Sequence, residues 1–124
     1  MNNLEVKNLN KELERLEYFE DIVGTAIVNR NGLLISSRLP RNIDERRFGA
    51  MAASCYFGIE TAASTIGASE INHLTVEFNE YQLIIMEADE NLILVSLVDY
   101  NANLGLIFIE IEESIKNIKQ ILNR

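Results

Sequence analysis

Between His73 and Val98 the chain has room only for consecutive strands. Residues 73–78 alternate polar and apolar side chains strictly, residues 81–88 and 92–98 are almost continuously apolar, and only Asn79-Glu80 and Asp89-Glu90-Asn91 separate them. A parallel neighbour needs a crossover of about a dozen residues or more, so links this short permit only hairpins. An antiparallel meander therefore anchors the fold, and a doubly wound parallel sheet is excluded. The alternating run predicts a strand with one buried and one open face, and the two apolar runs predict strands covered on both faces.

The remaining elements follow around this meander. Residues 23–29 and 33–38 flank Arg30-Asn31-Gly32, and Asn-Gly tolerates the positive φ of a tight turn, which predicts a first hairpin. Val6, Leu9, Leu13 and Leu16 form one apolar stripe on a charged helix over residues 3–20. Pro40 and Asn42 stop the second strand, and Asp44 can cap a helix from about Glu45 to Ile66 that closes at Gly67. Leu104, Ile107, Phe108, Ile111, Ile115, Ile118 and Leu122 mark the last helix. The predicted order is α-β-β-α-β-β-β-α. It implies an α/β (α+β) domain, a three-layer α/β/α sandwich around a five-stranded, mostly antiparallel sheet.

Composition narrows the function classes. The 124 residues contain no repeat, linker or low-complexity stretch, so residues 1–124 read as one domain with a core of its own. A net charge of -8 opposes binding to nucleic acid or anionic lipid. The lone Cys55, the absence of a basic-apolar leader and the lack of a long apolar run point to the cytoplasm and against membrane insertion. His73 is the only histidine and lies on a strand, where it reads as a surface residue rather than a catalytic base. The six glycines fit neither phosphate-binding pattern, GxGxxG or GxxxxGK[ST]. No catalytic, cofactor or metal residues are assigned.

The positive signals concern surfaces. On a helical wheel the middle helix turns Phe48, Met51, Ala52, Cys55, Ile59, Ala62 and Ile66 to the sheet. It turns Ala50, Ala53, Phe57, Thr61 and Ser64 outward. Two apolar or small-residue faces imply two neighbours, with Phe57 as an anchor; the alternative is isolated apolar side chains on a monomer. The alternating strand, carrying His73, Thr75 and Glu77, suits a sheet edge that pairs with a twofold-related copy, or one protected by its charges. Arg30, Arg38, Arg41, Arg46 and Arg47 concentrate positive charge in an acidic chain. Arg41, Arg46 and Arg47 are candidate contacts for an acidic partner or phosphate, against the alternative of a solvated loop balancing Asp44 and Glu45.

With these residues in view, the chain resembles the roadblock (dynein light chain) branch of the roadblock/longin superfamily. The matching features are residues 24–37 (GTAIVNRNGLLISS), Met51-Ala52-Ala53 followed by Gly67, Val76-Glu77-Phe78, and Asp99 with Asn103-Leu104-Gly105-Leu106. Such proteins are small non-enzymatic scaffolds that dimerise through the middle helix and third strand, and many bind small Ras-like GTPases. The resemblance thus implies a homodimer whose surface uses residues 71–78 with Ala50, Ala53 and Phe57, and whose paired helices receive a GTPase or a second roadblock dimer. The chain carries no appended motor-binding or lipidated segment, which fits a stand-alone prokaryotic-type member. The competing reading is a profilin-like or PAS-type small-molecule sensor, which would need a cavity in the core.

Overall fold

The computed structural model describes residues 1–68 and 70–123. Its elements are α1 (Asn3–Glu17), β1 (Ile22–Asn29), β2 (Leu34–Arg38), α2 (Glu45–Thr65), β3 (Leu74–Glu77), β4 (Tyr81–Asp89), β5 (Leu92–Asp99) and α3 (Leu104–Ile121), in the predicted order. Local chemistry sets their ends. The Asn2 side chain accepts from the Glu5 amide at 2.8 Å while the Glu5 carboxylate accepts from the Asn2 amide at 3.1 Å, a reciprocal cap for α1. Asp44 and Asn103 accept from the Arg47 and Leu106 amides, each at 3.3 Å, to start α2 and α3. Gly32 at φ +84° turns the first hairpin and Gly67 at φ +76° closes α2, both conformations that disfavour a side chain.

The sheet order is β2-β1-β5-β4-β3, and every pairing is antiparallel. The meander β3-β4-β5 therefore occupies one half, and β5 returns to the centre beside β1. This leaves β2 and β3 as the two edges.

Alternation along the strands divides the core into two layers. On one face Ile27, Ile84, Leu92, Leu94 and Val98 pack with Leu9, Leu13 and Leu16 of α1 and Ile107, Ile111 and Ile118 of α3. On the other, Ala26, Val28, Ile85, Ile93 and Val95 pack with Ala52, Ala53 and Tyr56 of α2.

A buried polar junction sets α1 against α3. Glu12 is nine-tenths buried, and its Oε1 accepts from Arg15 Nε at 2.9 Å, Ser114 Oγ at 2.9 Å and Asn117 Nδ2 at 3.0 Å. Arg15 reaches on to Ser114 Oγ at 2.7 Å and Glu110 Oε1 at 3.1 Å. A buried carboxylate satisfied on this scale fixes helix register, because sliding by one residue would strand its charge.

One expectation is corrected here. β5 is covered on both faces, but β4 is not: Tyr81 and Glu87 are exposed and Leu83 only half-buried. A single helix lies on this side. α2 crosses β1, β2 and β5, leaving the outer half of the face, including half-buried Leu74 and Val76, without a full lid.

Candidate interaction face

The face that α2 turns to the sheet is its smallest one. Gly49, Ala52, Ala53 and Tyr56 are its buried residues, and a Cβ added at Gly49 would meet a Val28 methyl at 3.2 Å and Leu34 at 3.4 Å. Such an approach leaves no room for branched side chains. This reverses the helical-wheel assignment: of the expected sheet stripe only Ala52 is buried, Phe48 is half-buried, and Met51, Cys55, Ile59, Ala62 and Ile66 are exposed. Ala53, expected on the outside, is 2% exposed. Both flanks of α2 are apolar, so hydrophobic pattern alone could not choose between them; the distance between helix and sheet did.

Phe57 is corrected likewise. It is half-buried against the second core layer, edge-on to Tyr56 with ring centroids 5.2 Å apart. The Arg30 guanidinium lies 4.4 Å above its ring and donates to Glu60 at 3.0 Å, locking the first hairpin to α2. Ala50 is exposed beside Gly32 of the same hairpin. The exposed Thr61 hydroxyl donates to the Phe57 carbonyl at 3.0 Å, within the helix. Replacing Phe57 with Glu is therefore expected to cost the monomer about 2 kcal/mol or more, since it removes packing and sets a carboxylate beside Glu60. Urea denaturation measures this, and unchanged stability would return Phe57 to the surface.

What α2 does expose is a stripe. Met51 (63% exposed), Cys55, Ile59 (45%), Ala62 and Ile66 (81%) recur at intervals of three and four, the repeat of one helical flank. Beside it the open part of the sheet presents Leu74, Val76 and Leu83 half-buried and Tyr81 exposed. The adjoining β3 pairs with β4 on one side only, so its other row of backbone groups is free of sheet partners.

The other candidate residues lie around this region. His73, Thr75 and Glu77 are exposed; the His73 ring stacks 4.8 Å from Phe108 of α3, and Glu77 accepts from the Tyr100 hydroxyl at 3.3 Å. All three thus sit on the α3 side of the edge strand, away from α2. The arginines separate into two groups. Arg38 donates twice to Glu17, at 2.6 and 3.0 Å, holding that carboxyl below its usual range, and Arg30 is engaged with Glu60. Arg41, Arg46 and Arg47 are exposed around the start of α2, with no ion pair among the described residues.

Acid gathers at the opposite end of α2. Burial and the neighbouring Glu60 push the Glu87 carboxyl up, with Glu70 adding to the effect. The Tyr56 hydroxyl, buried and without a hydrogen-bond partner among the described residues, is pushed up to about 12 by burial and then by Glu87 and Glu60. Among the described residues no group of His, Cys, Asp and Glu is arranged to hold a metal ion.

Comparison with known proteins places these features in context. A family model described as the Roadblock/LC7 domain matches residues 9–97. The chain is 33% identical over 111 residues to the uncharacterized protein MJ0714 of Methanocaldococcus jannaschii, covering 90% of this chain and 93% of that protein. Myxococcus xanthus MglB has a similar fold, with a TM-score of 0.92 at 24% identity over 99% of this chain and 93% of MglB. An MglB structure described as having a tetrameric arrangement gives 0.88 at 16% identity, over 98% and 92% of the two chains.

Proposed function

Because the chain belongs to the Roadblock/LC7 domain family, we propose that it is a non-enzymatic homodimeric scaffold that binds a small Ras-like GTPase and regulates or localises it. The observation that carries this reading is the continuity of three unfinished surfaces: the exposed apolar flank of α2, the half-covered face of β3 and β4, and the free edge of β3. A twofold-related copy finishes all three at once. Its β3 extends the sheet across the axis, and its α2 lies antiparallel to the first, covering Met51, Cys55 and Ile59. The paired helices form a platform on which a GTPase sits. In this arrangement Ala50 and Thr61 border the platform, and His73, Thr75 and Glu77 line the joined strands from the α3 side. Arg41, Arg46 and Arg47 stand at its ends.

The sensor reading is less well supported. Ile27, Ile84, Ile85, Ile93, Leu94 and Ile111 are fully buried in the two core layers, and apolar side chains occupy the space a ligand would need. No helix among the described residues is long and apolar enough to cross a membrane, in keeping with a scaffold that reaches other proteins through its surface.

Light scattering tests the proposal. The purified chain is expected at twice its 14.1 kDa mass, and this mass is expected to rise when a Ras-like GTPase from the same genome is added in one nucleotide state. A monomer indifferent to each GTPase in both nucleotide states would overturn the reading.

A further inference from the structure

The proposed dimer has an electrostatic consequence that the single chain leaves unresolved. α2 is polarised along its length. Arg46 and Arg47 occupy its first turn, with Arg41 just before them, and all three are exposed. Near its other end lie Glu60, then Glu87 on β4 and Glu70 in the segment before β3. Arg30 offsets part of this acid but is already bound to Glu60.

The fold fixes where each group sits. α2 starts beside the end of β2, where Ser37 bonds Glu45, and runs toward the end of the sheet that carries Arg30 and the β4-β5 turn. Glu87 lies at that far end of β4 and pairs in register with Ile93, a residue of the α2-side core. The acid therefore shares the open face with the apolar flank of α2. Twenty-one helical residues at about 1.5 Å each separate the basic and acidic ends by about 30 Å.

A twofold axis that joins β3 to a second β3 exchanges the ends of the sheet. The basic start of one α2 then comes to the acidic end of the other protomer, and the reverse holds by symmetry. We propose that Arg46 and Arg47 of each protomer, with Arg41 beside them, seat against the Glu87-Glu70 end of a second copy. This charge match sets the antiparallel register of the helix pair. The inference rests on the homodimer reading and adds to it the residues that orient the two copies. Parallel packing would place arginines beside arginines and carboxylates beside carboxylates, and like-charge contact of this kind disfavours the wrong arrangement. The raised Glu87 carboxyl fits this scheme, since a partner guanidinium would supply the compensation that the single chain lacks.

Charge exchange tests it. The dimer dissociation constant is measured by sedimentation equilibrium for the wild type, for Arg46→Glu/Arg47→Glu, for Glu70→Arg/Glu87→Arg, and for the quadruple exchange. Each half-exchange is expected to weaken the dimer about tenfold or more, and the quadruple variant to return to within about threefold of wild type. Lys7→Glu/Lys11→Glu, on the exposed side of α1, changes net charge as much as the arginine pair does and is expected to leave the constant within about twofold. Arg47→Gln and Glu87→Gln, which only remove charge, give the same ordering with smaller shifts should a reversal fail to fold. A dimeric wild type indifferent to both half-exchanges, a control as disruptive as the arginine pair, or no recovery in the quadruple variant overturns this inference alone. A monomeric wild type overturns the homodimer reading with it.

Discussion

Replacing Ile59 with Glu is expected to convert the protein into a folded monomer. Ile59 is 45% exposed at the middle of the unfinished α2 flank, so its removal opens no closed cavity. Glutamate is a good helix former, and monomer stability should stay within about 0.5 kcal/mol of wild type. In the dimer the consequence is different. The twofold places a new carboxylate in the apolar seam from each side, with no cation to receive it, and burying an unpaired charge is among the costliest single changes. An increase of at least about a hundredfold in the dimer dissociation constant is expected, equivalent to about 2.7 kcal/mol. Light scattering across a dilution series reads the mass, and thermal denaturation of the same samples reads the fold. Ile109→Glu is the matched control, since Ile109 of α3 is 62% exposed outside the proposed interface. Retention of wild-type affinity by Ile59→Glu would move the interface off α2.

Ile111→Ala should do the opposite. Ile111 is fully buried in the layer shared by α1, α3 and the sheet, together with Leu9, Leu13, Ile84 and Leu94. Truncation forfeits the transfer of its side chain out of water and leaves a cavity whose walls belong to three elements, so relaxation can fill it only in part. A loss of about 2–5 kcal/mol is expected, a large fraction of the about 5–15 kcal/mol that holds a domain folded. Urea denaturation with an unchanged m-value would assign the loss to packing; a loss below about 1 kcal/mol would place Ile111 outside the core. Together the two variants separate the surface that joins copies from the surface that folds one.

The strength of the local signals explains which parts were legible beforehand. The meander over residues 73–98 could be nothing else, because its links are too short for crossovers. Asn2, Asp44 and Asn103 hold the helix starts, and Gly32 and Gly67 take the positive φ their turns require. α3 has one apolar stripe, so its periodicity named its buried face correctly. α2 has two. Its wheel placed Met51, Cys55 and Ile59 inward and Ala53 and Phe57 outward, and the structure places them the other way. The overlooked signal was size: Gly49, Ala52 and Ala53 form the only flank that fits a close approach to Val28 and Leu34.

The sequence by itself therefore determined element type, order and antiparallel pairing, all of which depend on contacts between residues a few positions apart or joined by short turns. Only the tertiary structure decided which flank of α2 meets the sheet, that β4 stays half-covered beside a free β3, and that Arg38 joins Glu17 while Arg46 and Arg47 stay unpaired. Those outcomes depend on how closely separate elements approach. That distance is set by the summed volumes of side chains far apart in the chain, a quantity no local pattern contains.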